Sequence, residues 1–249
     1  MAIDINKITT EITLELDQEK ITLVNFTKAV DSFLGIVREV SKESLPNRNP
    51  SGWLVKVYEG SAGIGVLRNP DVFTKDEESL IGNNILAGLS TLESGNRHPQ
   101  FNDKAIEYSR TLSKTISDKR TVGHLRLIVN NRNPFSITNN IAVKASSLLD
   151  PMYEDDGSVE GMLEKLSAHG QFEFVLYDIL DNRAIKCEVK EGQLKEAWSA
   201  WRERVEVVGT VRYRHDGLPI SIKAKAIIPF PEQKDLPSLN EVRSLFGEA

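Results

Sequence analysis

The sequence predicts an α+β protein in two parts: an N-terminal α+β domain with an antiparallel sheet and about three helices, and a C-terminal five-stranded β-barrel with one helix between its third and fourth strands. Two observations predict this class. Apolar positions in the first part switch between a period of two and a period of three to four residues. Two hairpin patterns with a short helical pattern between them follow Gly157. We therefore expect domains at 1–150 and 157–232, and a tail or short helix at 233–249.

The first predicted elements are a strand, a helix and a hairpin. Every second position of 8–16 is apolar except Thr10, which is typical of a strand with one mostly apolar face. They then recur every three or four residues over 23–43, which predicts an amphipathic helix that ends before Pro46. Alternating apolar positions on both sides of the glycine-rich stretch 60–63 predict a β-hairpin.

Two more helices and a strand complete the first domain. Thr74 and Glu77 have the spacing of a capping box, so a helix is predicted to begin after Thr74. A further helix is expected over about 102–118 and a strand over 122–129. The pattern of 138–149 fits a short helix and a strand equally well.

The predicted domain boundary lies at Asp150-Pro151 and in the acidic run that follows it. Glu154, Asp155, Asp156 and Gly157 are typical of a solvated linker. The same carboxylates are the oxygen ligands that divalent cations prefer, but an acidic run alone does not make such a site, and we expect no metal here.

The first C-terminal hairpin is predicted from a two-residue turn at Asp181-Asn182. This turn places Phe174 opposite Val189 and Leu176 opposite Cys187, so that one face is apolar. The other face pairs Glu173 with Lys190, Val175 with Glu188 and Tyr177 with Lys186, a combination that suits contact with water.

A second hairpin is predicted at Asp216-Gly217, which is a strong hairpin dipeptide. Its register places Val211 opposite Ile222 on an apolar face. The opposite face is basic, and it pairs Arg212 with Ser221, Thr210 with Lys223 and Val208 with Lys225.

A short helix is predicted between the two hairpins. Leu194, Ala197, Trp198 and Trp201 recur at helical spacing. This aromatic stripe is expected to pack into one end of the barrel, so we interpret both tryptophans as core residues.

The order of strand, strand, strand, helix, strand and strand over about 157–230 resembles the OB-fold, a five-stranded Greek-key barrel. The resemblance is one of pattern, and it implies a surface of the kind that often binds oligonucleotides or oligosaccharides. The segments 209–213 and 217–222 also resemble the C-terminal parts of uncharacterised bacterial proteins. That likeness implies a bacterial source and no particular activity.

No catalytic motif or cofactor site is predicted. The glycine-rich stretch 60–65 lacks both the following helix of a dinucleotide fingerprint and the Lys-Ser/Thr of a P-loop. The four histidines are scattered singly, and Cys187 has no second cysteine with which to bind zinc. We expect Cys187 to be a buried, unreactive thiol, and we expect no cofactor, no metal and no catalytic residue.

A local excess of positive charge is the feature that most suggests binding. Residues 183–225 contain ten Lys or Arg against six Asp or Glu, within a chain whose net charge is −5. An exposed aromatic ring among cations is typical of proteins that bind single-stranded nucleic acid. The candidate residues for such binding are Tyr177, Arg183, Lys186, Lys190, Arg212, Arg214, Lys223 and Lys225.

The leading hypothesis is therefore a non-enzymatic accessory protein that binds single-stranded nucleic acid weakly. One alternative is a protein-interaction subunit of a bacterial complex, in which the barrel or the N-terminal sheet docks on a partner chain. The other is an enzyme with a site near His124 in the first domain. The sequence is also compatible with a homo-oligomer. The sequence contains no long apolar run and no secretory signal, so we expect a cytoplasmic protein that does not enter membranes.

Overall fold

The computed structural model describes residues 8–17, 21–58, 62–116, 124–130, 133–168 and 172–231. The chain divides between Asp150 and Pro151 into two compact units. Both α-helices and β-strands are present, in a mixed α+β arrangement with two five-stranded sheets. The predicted tail at 233–249 lies outside the described residues.

The N-terminal unit contains a five-stranded sheet with the strand order β2-β3-β1-β4-β5. All of its described strand pairs are antiparallel, as the sequence predicts. β1 is the central strand, and both of its faces are covered, so that even Glu15 is buried with Arg126 Nε 3.0 Å from its carboxylate. The strands are β1 (Ile12–Asp17), β2 (Trp53–Tyr58), β3 (Ala62–Arg68), β4 (His124–Val129) and β5 (Phe135–Ile137).

Four helices are described in this unit: α1 (Leu23–Ser44), α2 (Lys75–Glu93), α3 (Asp103–Lys114) and α4 (Asn139–Leu149). The capping box predicted for α2 is present, because the Thr74 hydroxyl accepts from Glu77 N–H and the Glu77 carboxylate accepts from Thr74 N–H. No helix among the described residues is long and apolar enough to span a membrane.

The main core of the N-terminal unit lies between one face of the sheet and the helices. Ile12, Leu14 and Leu16 of β1 alternate toward this core, where they join Phe33 of α1 and Ile85 of α2. The period-two and period-3.6 patterns of the sequence therefore converge on one apolar layer.

The structure settles one ambiguous segment of this unit and adds one strand that was not predicted. The ambiguous segment 138–149 is a helix, whose buried face is formed by Ile141, Ala142 and Ala145. The short strand β5 was not predicted, because three residues are too few to show an alternation. The unit accordingly contains four described helices rather than about three.

The C-terminal unit contains β6 (Tyr153–Ser167), β7 (Glu173–Tyr177), β8 (Ala184–Glu188), α5 (Leu194–Ser199), β9 (Arg204–Tyr213) and β10 (Pro219–Pro229). Its strands pair in the cyclic order β10-β8-β7-β6-β9, so the pairing closes on itself. β8 and β10 pair in parallel, and the other four pairs are antiparallel. We call this the C-terminal sheet.

The acidic run after Pro151 is part of a strand and not a linker. β6 begins at Tyr153, and Glu154 and Asp156 lie opposite Arg212 and Thr210 of β9. The prediction was wrong because the side chains of these carboxylates are exposed, as in a linker, while their backbone lies in the ladder between β6 and β9.

The predicted register of the first hairpin is wrong by two residues. Phe174 lies opposite Cys187 and Leu176 opposite Ile185, because the turn is longer than the predicted pair Asp181-Asn182. The Asp178 carboxylate accepts from Leu180 N–H at 2.8 Å and holds this longer turn together. A shift of two residues preserves the face of every side chain, so the apolar face is still the inner one.

The predicted register of the second hairpin is confirmed in its centre. Val211 lies opposite Ile222, and Arg212 lies opposite Ser221. The ladder shifts by one residue between Ala224 and Ala226, so Val208 lies opposite Ala226 and not opposite Lys225. Such a β-bulge bends a strand, as the closure of a small sheet requires.

Candidate nucleic-acid interface

Helix α5 positions two tryptophans on the surface of the C-terminal unit, and the prediction that they are core residues is wrong. Ala197 and Ala200 are the residues that are fully buried, whereas Trp198 and Trp201 are 70% and 49% exposed. The helix ends at Ser199, so the helical spacing does not extend to Trp201. Large exposed indoles beside small buried alanines are unusual for residues that only stabilise a fold.

The two indole rings have a fixed mutual geometry. Their centroids are 6.2 Å apart and their planes differ by 17°. Trp201 Nε1 donates to the carbonyl oxygen of Glu164 at 3.0 Å, which orients this ring against β6. A ring that is already oriented loses little conformational entropy when a ligand stacks on it.

A groove lies beside the tryptophans. It consists of two adjoining hollows of about 550 and 480 Å³, which share Leu166, Ser167 and Trp198. We call it the tryptophan groove. The volume of each hollow is in the range of about 300–1,000 Å³ that is typical of ligand pockets.

Two lysines contribute positive charge to the tryptophan groove. Lys195 lines one hollow and forms no ion pair with any residue that the structure describes. Lys165 lines the other, and its Nζ lies 5.7 Å from the centroid of the Tyr177 ring. Hydrogen bonding to the Tyr177 hydroxyl raises the pKa of Lys165, so this lysine stays charged at neutral pH. Glu164 and Glu173 also line this hollow, so the groove is not uniformly positive.

Most of the sequence-predicted basic residues have acidic partners in their own unit. Arg212 Nε lies 2.9 Å from Glu154, and Lys225 Nζ lies 2.8 Å from Asp156. Carboxylates therefore hold most of the predicted basic surface, and a phosphate would have to displace them. The remaining ion pairs are Lys186 with Glu173, Arg183 with Asp181, and Arg214 with Asp216.

Arg214 differs from the other predicted residues because it is only 3% exposed. Its guanidinium Nη2 lies 3.1 Å from Asp216 in the turn between β9 and β10. The side chain is positioned to stabilise this turn, so we leave it out of the interface.

Three predicted residues form no ion pair within the described part of the chain: Tyr177, Lys190 and Lys223. Tyr177 contacts the tryptophan groove through Lys165. Lys223 lies on the outer face of β10, opposite Thr210. The candidate residues are therefore spread over the outside of the C-terminal sheet. Tyr177 and Lys186 lie nearest the tryptophan groove, because their respective partners Lys165 and Glu173 both line it.

The tryptophan groove was missed at the level of sequence, although one signal pointed to it. Trp198 follows Ala197, and Trp201 follows Ala200, so each large residue has a small neighbour that can occupy the core in its place. Helical periodicity alone does not show whether the alanine or the tryptophan of each pair is buried in the core.

The structure offers little reactive chemistry among the described residues. Cys187 is fully buried, as predicted, and burial raises the pKa of its thiol far above the usual range. His124 is exposed at the start of β4. No group of three or more potential metal-ligating side chains is found in the described ranges.

The sequence matches no protein-family model, and no curated protein is significantly similar to it. The chemistry of this surface must therefore be derived from its own side chains.

Proposed function

We propose that the chain is a non-enzymatic accessory protein whose C-terminal unit binds single-stranded nucleic acid in the tryptophan groove. The observation that carries this proposal is the pair of exposed, nearly parallel indoles of Trp198 and Trp201. Every nucleobase has a flat π-face, so such rings bind single strands without reading their sequence.

We further propose that the C-terminal sheet is a barrel of the OB type. Numbered from β6, its strands follow the order 1-2-3-5-4 and return to 1, with a parallel pair between the third and the fifth. A helix between the third and fourth strands completes the similarity. OB-folds commonly bind oligonucleotides on the outside of the barrel, which supports the proposed ligand class and does not by itself establish it.

The charges around the groove support a weak interaction. Lys165 and Lys195 are available to contact phosphates, whereas Lys186 and Lys225 are held by carboxylates. Affinity that comes from few phosphate contacts depends only modestly on salt. Stacking is accordingly the larger part of the expected binding energy, at about 1 to 3 kcal/mol per base.

The test measures binding of a fluorescein-labelled oligothymidylate and an oligouridylate by polarisation, together with quenching of tryptophan fluorescence. The wild type should bind both at low salt and quench on binding. Trp198→Ala should weaken binding by about 5- to 150-fold, since one stacking ring contributes about 1 to 3 kcal/mol.

Tyr153→Ala is the matched control for this experiment. Tyr153 is also an exposed aromatic residue of the C-terminal unit and stacks on Tyr213 at 5.1 Å, but it lies near the opposite end of β6 from Glu164. Its replacement should leave binding unchanged. Absence of binding by the wild type at low salt, or equal effects of the two substitutions, would refute the proposal.

A further inference from the structure

Strand β2 forms an edge of the N-terminal sheet that no described strand covers. It lies at the end of the strand order and pairs only with β3 among the described strands. Val55 and Val57 are 55% and 71% exposed, and Leu54 is exposed as well. An exposed, apolar edge strand is a template for pairing with another strand.

The helix layer stops short of this edge. Val55 and Val57 lie opposite Val66 and Ile64 of β3, which belong to the main core on the helix side of the sheet. The two valines therefore lie on the covered face, yet they remain exposed. A further strand paired along this edge would place its own side chains beside the two valines and reduce their exposure.

One hydrogen bond shows which residues of β2 direct their backbone N–H and C=O groups toward β3 and which direct them toward the uncovered edge. Asn69 N–H donates to the carbonyl oxygen of Gly52 at 3.2 Å, just before the first residue pair of the β2–β3 ladder. Hydrogen-bonded pairs alternate in an antiparallel ladder, so the even-numbered residues of β2 bond to β3. The N–H and C=O groups of Trp53, Val55 and Val57 consequently point to the uncovered edge.

We propose that β2 pairs antiparallel with β2 of a second copy of this chain, about a two-fold axis at Val55. A two-fold axis that pairs identical strands in one sheet must place one residue opposite itself. Centring on Val55 pairs Val57 with Trp53 of the other copy, so all three outward-pointing residues become hydrogen-bonded partners. Centring on Lys56 would instead place two ammonium groups opposite each other and use fewer of the outward groups.

Lys56 does not block this edge. A lysine on an edge strand usually discourages pairing by projecting past the edge. Here Lys56 Nζ donates to Thr9 Oγ1 at 2.6 Å and lies 5.3 Å from the centroid of the Tyr58 ring, so it is held against its own chain. In the Val55-centred register it lies opposite Leu54 of the other copy.

Analytical ultracentrifugation of the full chain over a range of concentrations tests the pairing. The wild type should form a dimer in a concentration-dependent manner. Val55→Lys should be monomeric, because it places two charges on the axis, whereas Val143→Lys should still dimerise. Val143 is the matched control, since it is equally exposed, at 55%, but lies on α4. Circular dichroism checks that both variants fold.

Cysteine cross-linking tests the register. Val55→Cys should cross-link to itself, because paired residues lie about 5.5 Å apart between Cα atoms. Val57→Cys should not react with a cross-linker too short to span the roughly 14 Å that four residues of offset produce. The native Cys187 is buried and does not interfere. A wild type that is monomeric throughout, a dimeric Val55→Lys, or equal cross-linking at the two positions would overturn the proposal.

Discussion

Lys225 donates from Nζ to both carboxylate oxygens of Asp156, at 2.8 Å each. Thr210 adds a hydrogen bond from Oγ1 to the same carboxylate at 2.9 Å. The acidic start of β6 therefore supplies counter-ions to the basic strands β9 and β10. Local charge excess in the sequence overstates the positive potential of this surface, because Glu154 and Asp156, which pair with Arg212 and Lys225, lie 58 and 69 residues away along the chain.

Replacing Asp156 with Asn should strengthen the binding of single-stranded nucleic acid, because Lys225 is released to contact a phosphate. We expect a gain of up to about fivefold, since an exposed ion pair is worth about 0 to 1 kcal/mol. The slope of log affinity against log salt should steepen by about 0.7 for each phosphate contact that is gained. Polarisation titrations at several salt concentrations measure both quantities.

Asp155→Asn is the control for this substitution. It removes the same charge one residue earlier, where the carboxylate accepts only from the Asp156 N–H among the described contacts and has no described cation partner. Equal gains from the two variants would show that the effect is one of net charge and not of a released Lys225.

The carboxyl of Asp156 should titrate below the usual aspartate range. Hydrogen bonds from Lys225 and Thr210 lower its pKa in the folded state. A folded-state pKa below the unfolded value of about 3.9 contributes stability that is present above that value and lost as the pH falls through the folded pKa. Carbon-detected NMR titration of the side-chain carboxyl measures this directly.

Lys225→Met should raise the pKa of Asp156 toward the ordinary value. Lys223→Met is the comparison, because Lys223 is a neighbouring outward lysine on β10 that forms no described ion pair. A pKa of Asp156 that does not respond to the loss of Lys225 would contradict the ion pair.

Alternation along the strands predicted which side chains face inward, but not where each hairpin turns. Phe174 and Cys187 are buried as predicted, although their predicted partners are wrong by two residues. Two registers that differ by two residues bury the same side chains, so the apolar pattern cannot distinguish them. The observed turn is stabilised by the Asp178 carboxylate, which accepts from Leu180 N–H, and hydrophobic periodicity does not report such a local polar contact.

Helical spacing failed at the tryptophans for a related reason. α5 contains only six residues, so its buried face is set by how it meets the sheet and not by a sustained period. In contrast, the 22 residues of α1 were predicted almost to their ends, because many turns repeat the same apolar stripe. The candidate site therefore lay in the segment where sequence periodicity carries least information.

Trp198→Ala should change the free energy of unfolding by less than about 0.5 kcal/mol, as is usual for exposed positions. Phe174→Ala provides the contrast, because Phe174 is fully buried in the same unit and should cost about 3 to 5 kcal/mol. Urea denaturation followed by circular dichroism compares the two variants. A large loss of stability for Trp198→Ala would indicate that the indole is a structural residue and would remove the main support for the groove as a binding site.

Gly209→Ala should destabilise the C-terminal unit by about 1 to 3 kcal/mol, which is the usual cost of overpacking. Gly209 lies on β9 between Gly157 of β6 and Ala224 of β10, and an added Cβ would lie 2.1 Å from the carbonyl oxygen of Lys223. That contact is with backbone, so relief requires the two strands to separate. Gly192→Ala is the control, since a Cβ there meets nothing within 4 Å. Thermal denaturation of both variants should show a loss for Gly209→Ala alone, and equal melting temperatures would mean that β9 and β10 are not as closely paired as described.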